Sequence, residues 1–472
     1  MSSVVSSERV RQVVREQRLR PAQQAAFQRV RSRLRRGERV RVLAIGGSLL
    51  AGHGCIERGL SQDECAYPGR FSRWLASTAS ASSTNVTYIN RGMGGLTTAG
   101  ALPMLTLTLQ YNDEDNDPDV LLVDFGTNDM YYAQGWVSLH DHKRDHVQPR
   151  QVGAATEGLV RYVLGALPRT AVLLVEATCS RNDSAKHTTS TEAKEAIASH
   201  YGVAFLAYSR ALRRPCRFND VEAWGGNVVH PARSAHMHIS AMLQLWWGVH
   251  FNQTADAPPS GQGNRAGAAP RGEQQTRGGM TPLEPPLTDS ALLSGFSVCT
   301  SPTCVYDPAR AMRQRQPARL RSTVPVTASA TLAAFPRVAS GNWSLYEDRP
   351  GKPGWISTGP NGSTLEFDVS FSSSPRLAVV FDQSYEAYAD ARLSFEGVPG
   401  AYELRGVRPD SARVTQTAVV SMNVRQGVLQ NFANGHGMAG FGIQPNARHT
   451  MRLTLLTAPS RQKFKLRYLA CC

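Results

Sequence analysis

The sequence lacks any apolar run close to the ~20 residues that a helix needs to cross a bilayer, so no stable membrane span is expected. It also lacks a Cys-X-X-Cys pair among its eight cysteines, which argues against a zinc site. The N-terminus has no apolar segment of the kind that forms a secretory signal. Acidic residues are scarce, since 37 Asp and Glu oppose 52 Lys and Arg and leave a formal net charge of +15.

Much of the positive charge lies in residues 1–41, which contain twelve Arg and three Glu. Helix-like stretches cover residues 9–20 and 22–36, so we assign residues 1–37 to an Arg-rich helical segment whose second helix packs on the next domain. A basic arm is also typical of nucleic-acid binding. No aromatic stacking platform or known binding module accompanies it, and no nucleic-acid partner is therefore expected.

Strand-like and helix-like segments alternate through residues 38–253. Apolar strand runs are found at 40–46, 86–90, 119–125, 171–177 and 203–207, and helical stretches lie near 67–78, 98–110, 152–166, 190–200 and 234–249. This alternation predicts a parallel sheet that is covered by helices on both faces. We expect an α/β domain of three layers here.

The chain changes character after this domain. Residues 254–290 are rich in Pro, Gly, Gln and Ser, which predicts a flexible linker. Residues 291–472 contain short or alternating apolar runs separated by turn-forming residues, a pattern typical of an antiparallel all-β sandwich. The aromatic residues of this region could form a carbohydrate-stacking face or belong to the core, and we favour the core; they are Trp343, Tyr346, Trp355, Tyr385, Tyr388 and Tyr402.

Four short segments of the α/β region carry chemistry-bearing residues in a set order. They are Gly46-Gly47-Ser48, Asn90 to Thr98, Gly126-Thr127-Asn128-Asp129, and Asn227-Val228-Val229-His230-Pro231. The first three follow directly on apolar strand runs, and the fourth precedes the last helical stretch of the domain. Because the carboxyl ends of parallel strands meet at one edge of a sheet, we expect these segments to line a common ligand crevice.

This series resembles the SGNH (GDSL-type) hydrolases, whose four blocks contribute Ser, Gly, Asn and His, and the likeness covers about residues 38–250. The resemblance implies a flavodoxin-like three-layer sandwich and a serine esterase mechanism that needs no metal or other cofactor. Ser48 would attack the ester carbonyl while His230 takes its proton. The backbone N–H groups of Ser48 and Gly95 and the side-chain amide of Asn128 would form the oxyanion hole.

The sequence departs from the family pattern at two positions. Gly47 stands where the family name implies Asp, although that Asp is not one of the catalytic groups. Asn227 stands where the pattern places the Asp that accepts the N–H of the catalytic imidazole. Asn227 could orient His230 through its carbonyl oxygen without supplying charge, or Asp220 or Glu222 could supply the charge from the same loop.

We predict a serine esterase that hydrolyses a small, acetyl-like acyl ester, with an acylated small molecule or a glycan as its substrate. Two alternatives remain open. The protein could be a catalytically degenerate carbohydrate-binding protein, because Asn227 brings no charge, or an acyltransferase, because an acyl-enzyme does not dictate its acceptor. The remaining histidines of this region, His53, His236 and His238, are interpreted as structural, and the His-rich run 140–146 as a solvated loop.

The cysteines and the glycosylation sequons bear on the compartment. The cysteine count is even, and Cys55/Cys65 and Cys299/Cys304 are closely spaced, which is compatible with disulfides. Five Asn-X-Ser/Thr sequons, at Asn85, Asn182, Asn252, Asn342 and Asn361, support a glycoprotein. We therefore expect a secreted or secretory-pathway protein, whereas the missing signal segment taken alone would indicate free thiols in a reducing compartment.

Overall fold

Five parallel strands form the first sheet in a computed structural model of the chain. They are β1 (Val40–Gly46), β2 (Val86–Gly92), β3 (Val120–Asp124), β4 (Ala171–Glu176) and β5 (Ala204–Ala207). Their order in the sheet is β2–β1–β3–β4–β5, which is the flavodoxin-like order. Asn90 of β2 and Leu122 of β3 flank Ala44 of β1, so the three strands that precede the predicted site segments lie side by side.

The structure describes most of the chain. The described residues are 4–78, 86–102, 105, 118–133, 149–179, 185–217, 219–226, 230–253, 283–288, 303–308, 311–312, 336–348, 353–373, 375–384, 387–407, 416–423, 429–431, 441–457 and 462–472. The His-rich run 140–146, the site residue Asn227 and most of the predicted linker lie outside them.

Helices cover both faces of the parallel sheet. They are α1 (Ser7–Glu16), α2 (Pro21–Arg35), α3 (Gln62–Cys65), α4 (Tyr67–Thr78), α5 (Gly126–Ala133), α6 (Pro149–Ala166), α7 (Ala185–His200), α8 (Tyr208–Ala211) and α9 (Arg233–Gln253). Val42 and Ala44 point into a core with α1, α2, α4 and α9. Leu43 and Ile45 point into a second core with α6 and α7. The alternating side-chain direction of a strand thus produces the predicted three-layer α/β fold.

The two Arg-rich N-terminal helices pack on this domain, whereas the sequence analysis expected packing of the second helix. Phe27 of α2 is fully buried, and its ring lies 5.2 Å from that of Trp246 in α9. Gln23 is also fully buried, because its amide donates to the Thr170 carbonyl at 2.9 Å and accepts from the Val172 backbone N–H at 2.8 Å. A side chain that completes the hydrogen bonds at the start of β4 therefore anchors α2 to the sheet.

The C-terminal part of the chain forms two antiparallel sheets that share a core, which confirms the predicted β-sandwich. The strands are β6 (Cys304–Tyr306), β7 (Arg337–Ser340), β8 (Trp343–Glu347), β9 (Pro353–Ser357), β10 (Thr364–Ser370), β11 (Arg376–Gln383), β12 (Asp390–Phe395), β13 (Val398–Leu404), β14 (Gln416–Asn423), β15 (Leu429–Asn431), β16 (Arg448–Leu456) and β17 (Phe464–Cys471). One sheet has the order β13–β12–β16–β10–β7. The other runs β15–β14–β11–β17–β9–β8, with β6 paired to β17.

Most of the aromatic residues considered for carbohydrate stacking are buried in this sandwich. Trp343, Trp355, Tyr388 and Tyr402 are each at most 6% exposed, whereas Tyr346 is 39% exposed. Tyr385 lies outside the described residues. These burials agree with the interpretation that the aromatics belong mainly to the core.

The sandwich packs directly on the α/β unit. Val380 and Tyr468 share a buried cluster with Leu164 of α6 and Tyr201, which follows α7. Residues 283–288, within the predicted linker, are attached to the same helices. Glu157 accepts the backbone N–H groups of Leu287 and Thr288, both at 2.7 Å.

Disulfides cross-link both the α/β unit and the β-sandwich. The structure contains the pairs Cys55–Cys65, Cys179–Cys216 and Cys304–Cys471, and Cys472 is disulfide-bonded as well. No cysteine in the described ranges is free. Disulfides of this number are typical of oxidising compartments. Within the same ranges, no helix combines the length and apolar character needed to cross a membrane.

Candidate active site

Ser48 lies at the carboxyl edge of the parallel sheet, directly after β1. The Gly47 backbone N–H donates to the Asp124 carbonyl at 2.8 Å, and the Met93 N–H donates to the Gly46 carbonyl at 2.8 Å. These two bonds hold the ends of β1, β2 and β3 together. The Ser48 residue is 4% exposed and begins a tight turn, in which the His53 N–H donates to the Ser48 carbonyl at 2.9 Å.

Asn128 packs against the backbone just before Ser48. A Cβ atom added at Gly47 would lie only 2.5 Å from Asn128 Nδ2 and 3.4 Å from the Leu96 carbonyl oxygen. The same amide donates a hydrogen bond to that carbonyl at 2.7 Å. A primary amide has two N–H donors, so this bond orients the group and leaves its second donor for a ligand. The name of the GDSL-type hydrolases implies Asp at position 47. Glycine stands there instead, and its lack of a side chain leaves room for the amide.

Gly95 adopts a left-handed backbone conformation, with φ +82°. Residues with a side chain rarely adopt this conformation, so the turn between Met93 and Leu96 requires glycine at this position. The Leu96 N–H closes the turn by donating to the Met93 carbonyl at 3.1 Å. The turn therefore brings the Gly95 backbone and the Leu96 carbonyl to the same edge as Asn128.

His230 is held by the loop that follows Ser48. Its ring lies edge-to-face on the ring of His53, with the two centroids 5.2 Å apart. At Gly54, whose φ is +85°, an added Cβ would lie 2.4 Å from the Pro231 carbonyl oxygen and 3.1 Å from His230 Cβ. The Ser48 loop and the His230 segment are therefore in direct contact, although about 180 residues separate them in the chain.

Further bonds fix this loop in place. Cys55 is joined to Cys65, and Glu57 accepts from Arg233 at 2.8 Å. Glu57 also pairs with Arg70 of α4. The hydrogen bonds from the two guanidinium groups lower the pKa of the Glu57 carboxyl. The loop that carries His53 is thus tied both to α4 and to the start of α9.

The acids proposed as partners of His230 have other partners in the structure. One oxygen of Asp220 accepts from the backbone N–H groups of Glu222 and Ala223, both at 3.0 Å. Glu222 accepts from Arg214 at 2.6 Å. The Asp220 carboxylate thus bonds within its own turn, and both carboxylates pair with Arg214, while Asn227 lies outside the described residues.

A group of buried charged residues lies behind the site, and sequence reasoning missed it. Asp124, at the end of β3, accepts from the Tyr67 hydroxyl at 2.8 Å and from the Gly126 N–H at 3.0 Å. Burial, reinforced by the neighbouring Glu176 charge, raises the pKa of Asp124 to about 7. Lys194 of α7 forms ion pairs with Glu176 at 2.7 Å and with Asp129 at 2.8 Å.

The other histidines differ in role. His236 is fully buried, and its Nδ1 accepts the Tyr67 backbone N–H at 3.3 Å. Burial lowers the pKa of His236 to about 4, which supports a neutral, structural imidazole. His238 is half-buried and lies 3.5 Å from the Tyr208 hydroxyl. The sequence analysis interprets His53 as structural as well, yet its ring contacts the ring of His230. The one sequence signal for this contact is the position of His53, five residues after Ser48.

The segments that carry a hydroxyl, an imidazole and an amide donor contact one another here, and these are the types of group that acyl transfer uses. Of the predicted site residues, Ser48, Gly95, Asn128 and His230 meet at one edge of the sheet. In the ranges that the structure describes, no three His, Cys, Asp or Glu side chains are grouped so as to hold a metal ion.

Comparisons with solved structures concern the fold. Over 94% of both chains, the protein resembles a two-domain esterase (CEX) active on acetylated mannans, solved with mannopentaose, with a TM-score of 0.56 at 15% identity. It also matches Axe2, an acetylxylan esterase from Geobacillus stearothermophilus, over 44% of this chain and 94% of the other, with a TM-score of 0.35 at 18% identity. A sequence search of curated proteins finds no match.

The family comparison concerns the α/β unit. The model of the GDSL-like lipase/acylhydrolase family matches residues 44–238, a range that includes Ser48, Gly95, Asn128 and His230. At 15% identity the two-domain esterase establishes the shared fold, including the antiparallel sheets that follow the matched range. Residues 44–238 therefore match the GDSL-like lipase/acylhydrolase family, and the protein is a hydrolase that acts on ester bonds.

Proposed function

We propose that this protein removes acetyl groups from an O-acetylated polysaccharide by a Ser48–His230 mechanism. The observation that carries the proposal is the packing of the Asn128 amide against the backbone at Gly47, beside Ser48. A fixed N–H donor beside the nucleophile is what a serine ester intermediate needs as its oxyanion develops, and this need supports the proposal. The substrate class is supported by the likeness over 94% of both chains to an esterase active on acetylated mannans.

In the proposed mechanism, the Ser48 hydroxyl attacks the acetyl carbonyl while His230 accepts its proton. Asn128 and the backbone N–H groups of Ser48 and Gly95 stabilise the oxyanion. His230 then returns the proton to the departing sugar hydroxyl, and a water molecule releases acetate from the acyl-enzyme by the reverse sequence of proton transfers. The protein thus acts as a carbohydrate esterase, and its disulfides fit a secreted protein.

Acetate release tests this proposal. The purified protein is incubated with acetylated mannan, acetylated xylan and 4-nitrophenyl acetate, and acetate or nitrophenol is measured for wild type and Ser48→Ala. We expect the Ser48→Ala variant to lose activity by several orders of magnitude. Ser72→Ala is a matched control, because the Ser72 hydroxyl is buried and bonds the Pro68 carbonyl within α4. Equal rates for wild type and Ser48→Ala would refute the role of Ser48.

The orientation of His230 requires a separate experiment. We propose that the side-chain carbonyl oxygen of Asn227 holds the His230 imidazole in its catalytic tautomer without supplying charge. Asn227→Asp should then raise the rate by about one to four orders of magnitude, because a carboxylate stabilises the imidazolium that forms. If Asp220 or Glu222 already supplies that charge, Asn227→Asp will gain little, and Asp220→Ala or Glu222→Ala will abolish activity instead.

A further inference from the structure

Asp129 connects the two segments that carry the candidate oxyanion donors. Its carboxylate accepts the Thr98 backbone N–H at 2.8 Å and the Thr98 hydroxyl at 2.5 Å. Thr98 follows Gly95 by three residues, and Asp129 is the neighbour of Asn128. Both Asp129 and Thr98 are 3% exposed. A buried, charge-assisted pair of hydrogen bonds therefore fixes the Gly95 turn relative to the start of α5.

The ammonium group of Lys194 pairs with the Asp129 carboxylate that accepts the Thr98 hydrogen bonds. Its Nζ lies 2.8 Å from Asp129 and 2.7 Å from Glu176, and all three residues are buried. Burial alone would lower the pKa of Lys194, but the adjacent Asp129 and Glu176 charges raise it overall, so the side chain stays protonated. A buried carboxylate that is paired in this way keeps a fixed orientation, because any other orientation leaves a charge without a partner.

Close packing at the start of α5 adds to this constraint. A Cβ atom at Gly126 would lie 2.7 Å from the carboxyl carbon of Glu176. The first turn of α5 therefore rests directly on the carboxylate that holds Lys194. Asn128 is in the same turn, so its amide position depends on the packing of this turn as well as on its bond to Leu96.

We propose that Thr98, Asp129 and Lys194 form a buried positioning cluster that holds the Gly95 turn and Asn128 in register as oxyanion donors. This inference rests on the proposed esterase function. None of the three side chains needs to touch the substrate, since their effect passes through the backbone of the Gly95 turn and through α5. Misplacing such donors lowers the rate of the chemical step, because only a fixed donor geometry stabilises the oxyanion.

The test removes one hydroxyl group. Thr98→Val keeps the size of the side chain and the backbone N–H bond to Asp129 but loses the hydroxyl bond, whereas Thr98→Ser keeps the hydroxyl. With 4-nitrophenyl acetate as the substrate, we expect kcat of Thr98→Val to fall roughly tenfold with little change in KM. Thr98→Ser should recover most of that loss. Thr156→Val is the control, because the hydroxyl of the buried Thr156 bonds a helix carbonyl in α6.

A double-mutant cycle separates positioning from plain stability. In the Asn128→Ala background the donor is gone, so Thr98→Val should cost clearly less than in the wild type. Urea unfolding of each variant identifies the folded fraction, and Thr98→Ala replaces the valine variant if that one does not fold. An unchanged kcat in folded Thr98→Val, or equal losses in both backgrounds, would overturn the inference while leaving the esterase function intact. A folded wild type that hydrolyses no acetyl ester would instead overturn the proposed function and this inference with it.

Discussion

Gly47→Ala is the substitution that probes the candidate site most directly. The added Cβ would lie 2.5 Å from Asn128 Nδ2, whereas ordinary contact begins at 3.4 Å. The amide must therefore retreat by about 0.9 Å, and a displacement of about 1 Å in a catalytic group can cost about 100-fold in rate. We expect kcat to fall about 100-fold, equivalent to about 2.7 kcal/mol of transition-state stabilisation.

The assay compares kcat for 4-nitrophenyl acetate in four proteins: wild type, Gly47→Ala, Asn128→Ala and the double variant. Since Gly47→Ala acts by displacing the Asn128 amide, its effect should largely disappear once that amide is removed. Gly248→Ala is the control, because a Cβ there meets nothing within 4 Å in α9. It should leave kcat unchanged and raise the free energy of unfolding by about 1 kcal/mol.

Two results would refute this reasoning. A Gly47→Ala variant with wild-type kcat would mean that the amide position does not matter for the reaction. Losses that simply add in the double variant would mean that the Cβ disturbs something other than Asn128. Urea unfolding of each variant shows whether a loss of rate reflects a loss of fold instead.

Three further measurements follow from the buried groups and the cysteines. The pKa of His236 is lowered to about 4, so the unfolded state binds its proton first as the pH falls. Relative to His236→Asn, which keeps an acceptor for the Tyr67 N–H, wild type should lose about 2 kcal/mol of stability in urea between pH 7 and pH 5. The contribution of Asp124 to the pH dependence of stability has the opposite sign, because its pKa is raised to about 7 and the folded state binds the proton first. Wild type should thus gain about 2 kcal/mol relative to Asp124→Asn over the same interval, and parallel pH profiles would contradict either prediction. Thiol titration of the protein in denaturant should find no free thiol, since the cysteines of the described ranges are all in disulfides, and eight thiols would contradict the structure.

The strand and helix pattern of the α/β unit was readable from the sequence because each element carries its own local signal. The apolar run at β1 and the helical spacing of α4 predict their elements closely, and the C-terminal runs at β10, β11 and β16 predict antiparallel strands. Weaker strands such as β7, whose residues are exposed, carry no alternation and were not predicted. Hydrophobic periodicity reports burial, so elements with little buried surface leave little trace in it.

The sequence alone also determined which residues are candidates for the site, because parallel strands deliver their carboxyl ends to one edge and Ser48, Gly95 and Asn128 each follow such an end. Only the tertiary structure decided what surrounds them. The contact of His53 with His230, the space that Gly47 leaves for Asn128, and the pairing of Lys194 with Asp129 join residues that no local pattern relates. Such contacts depend on strand order and on how helices cross the sheet, and these follow from the packing of the whole chain rather than from any segment of it.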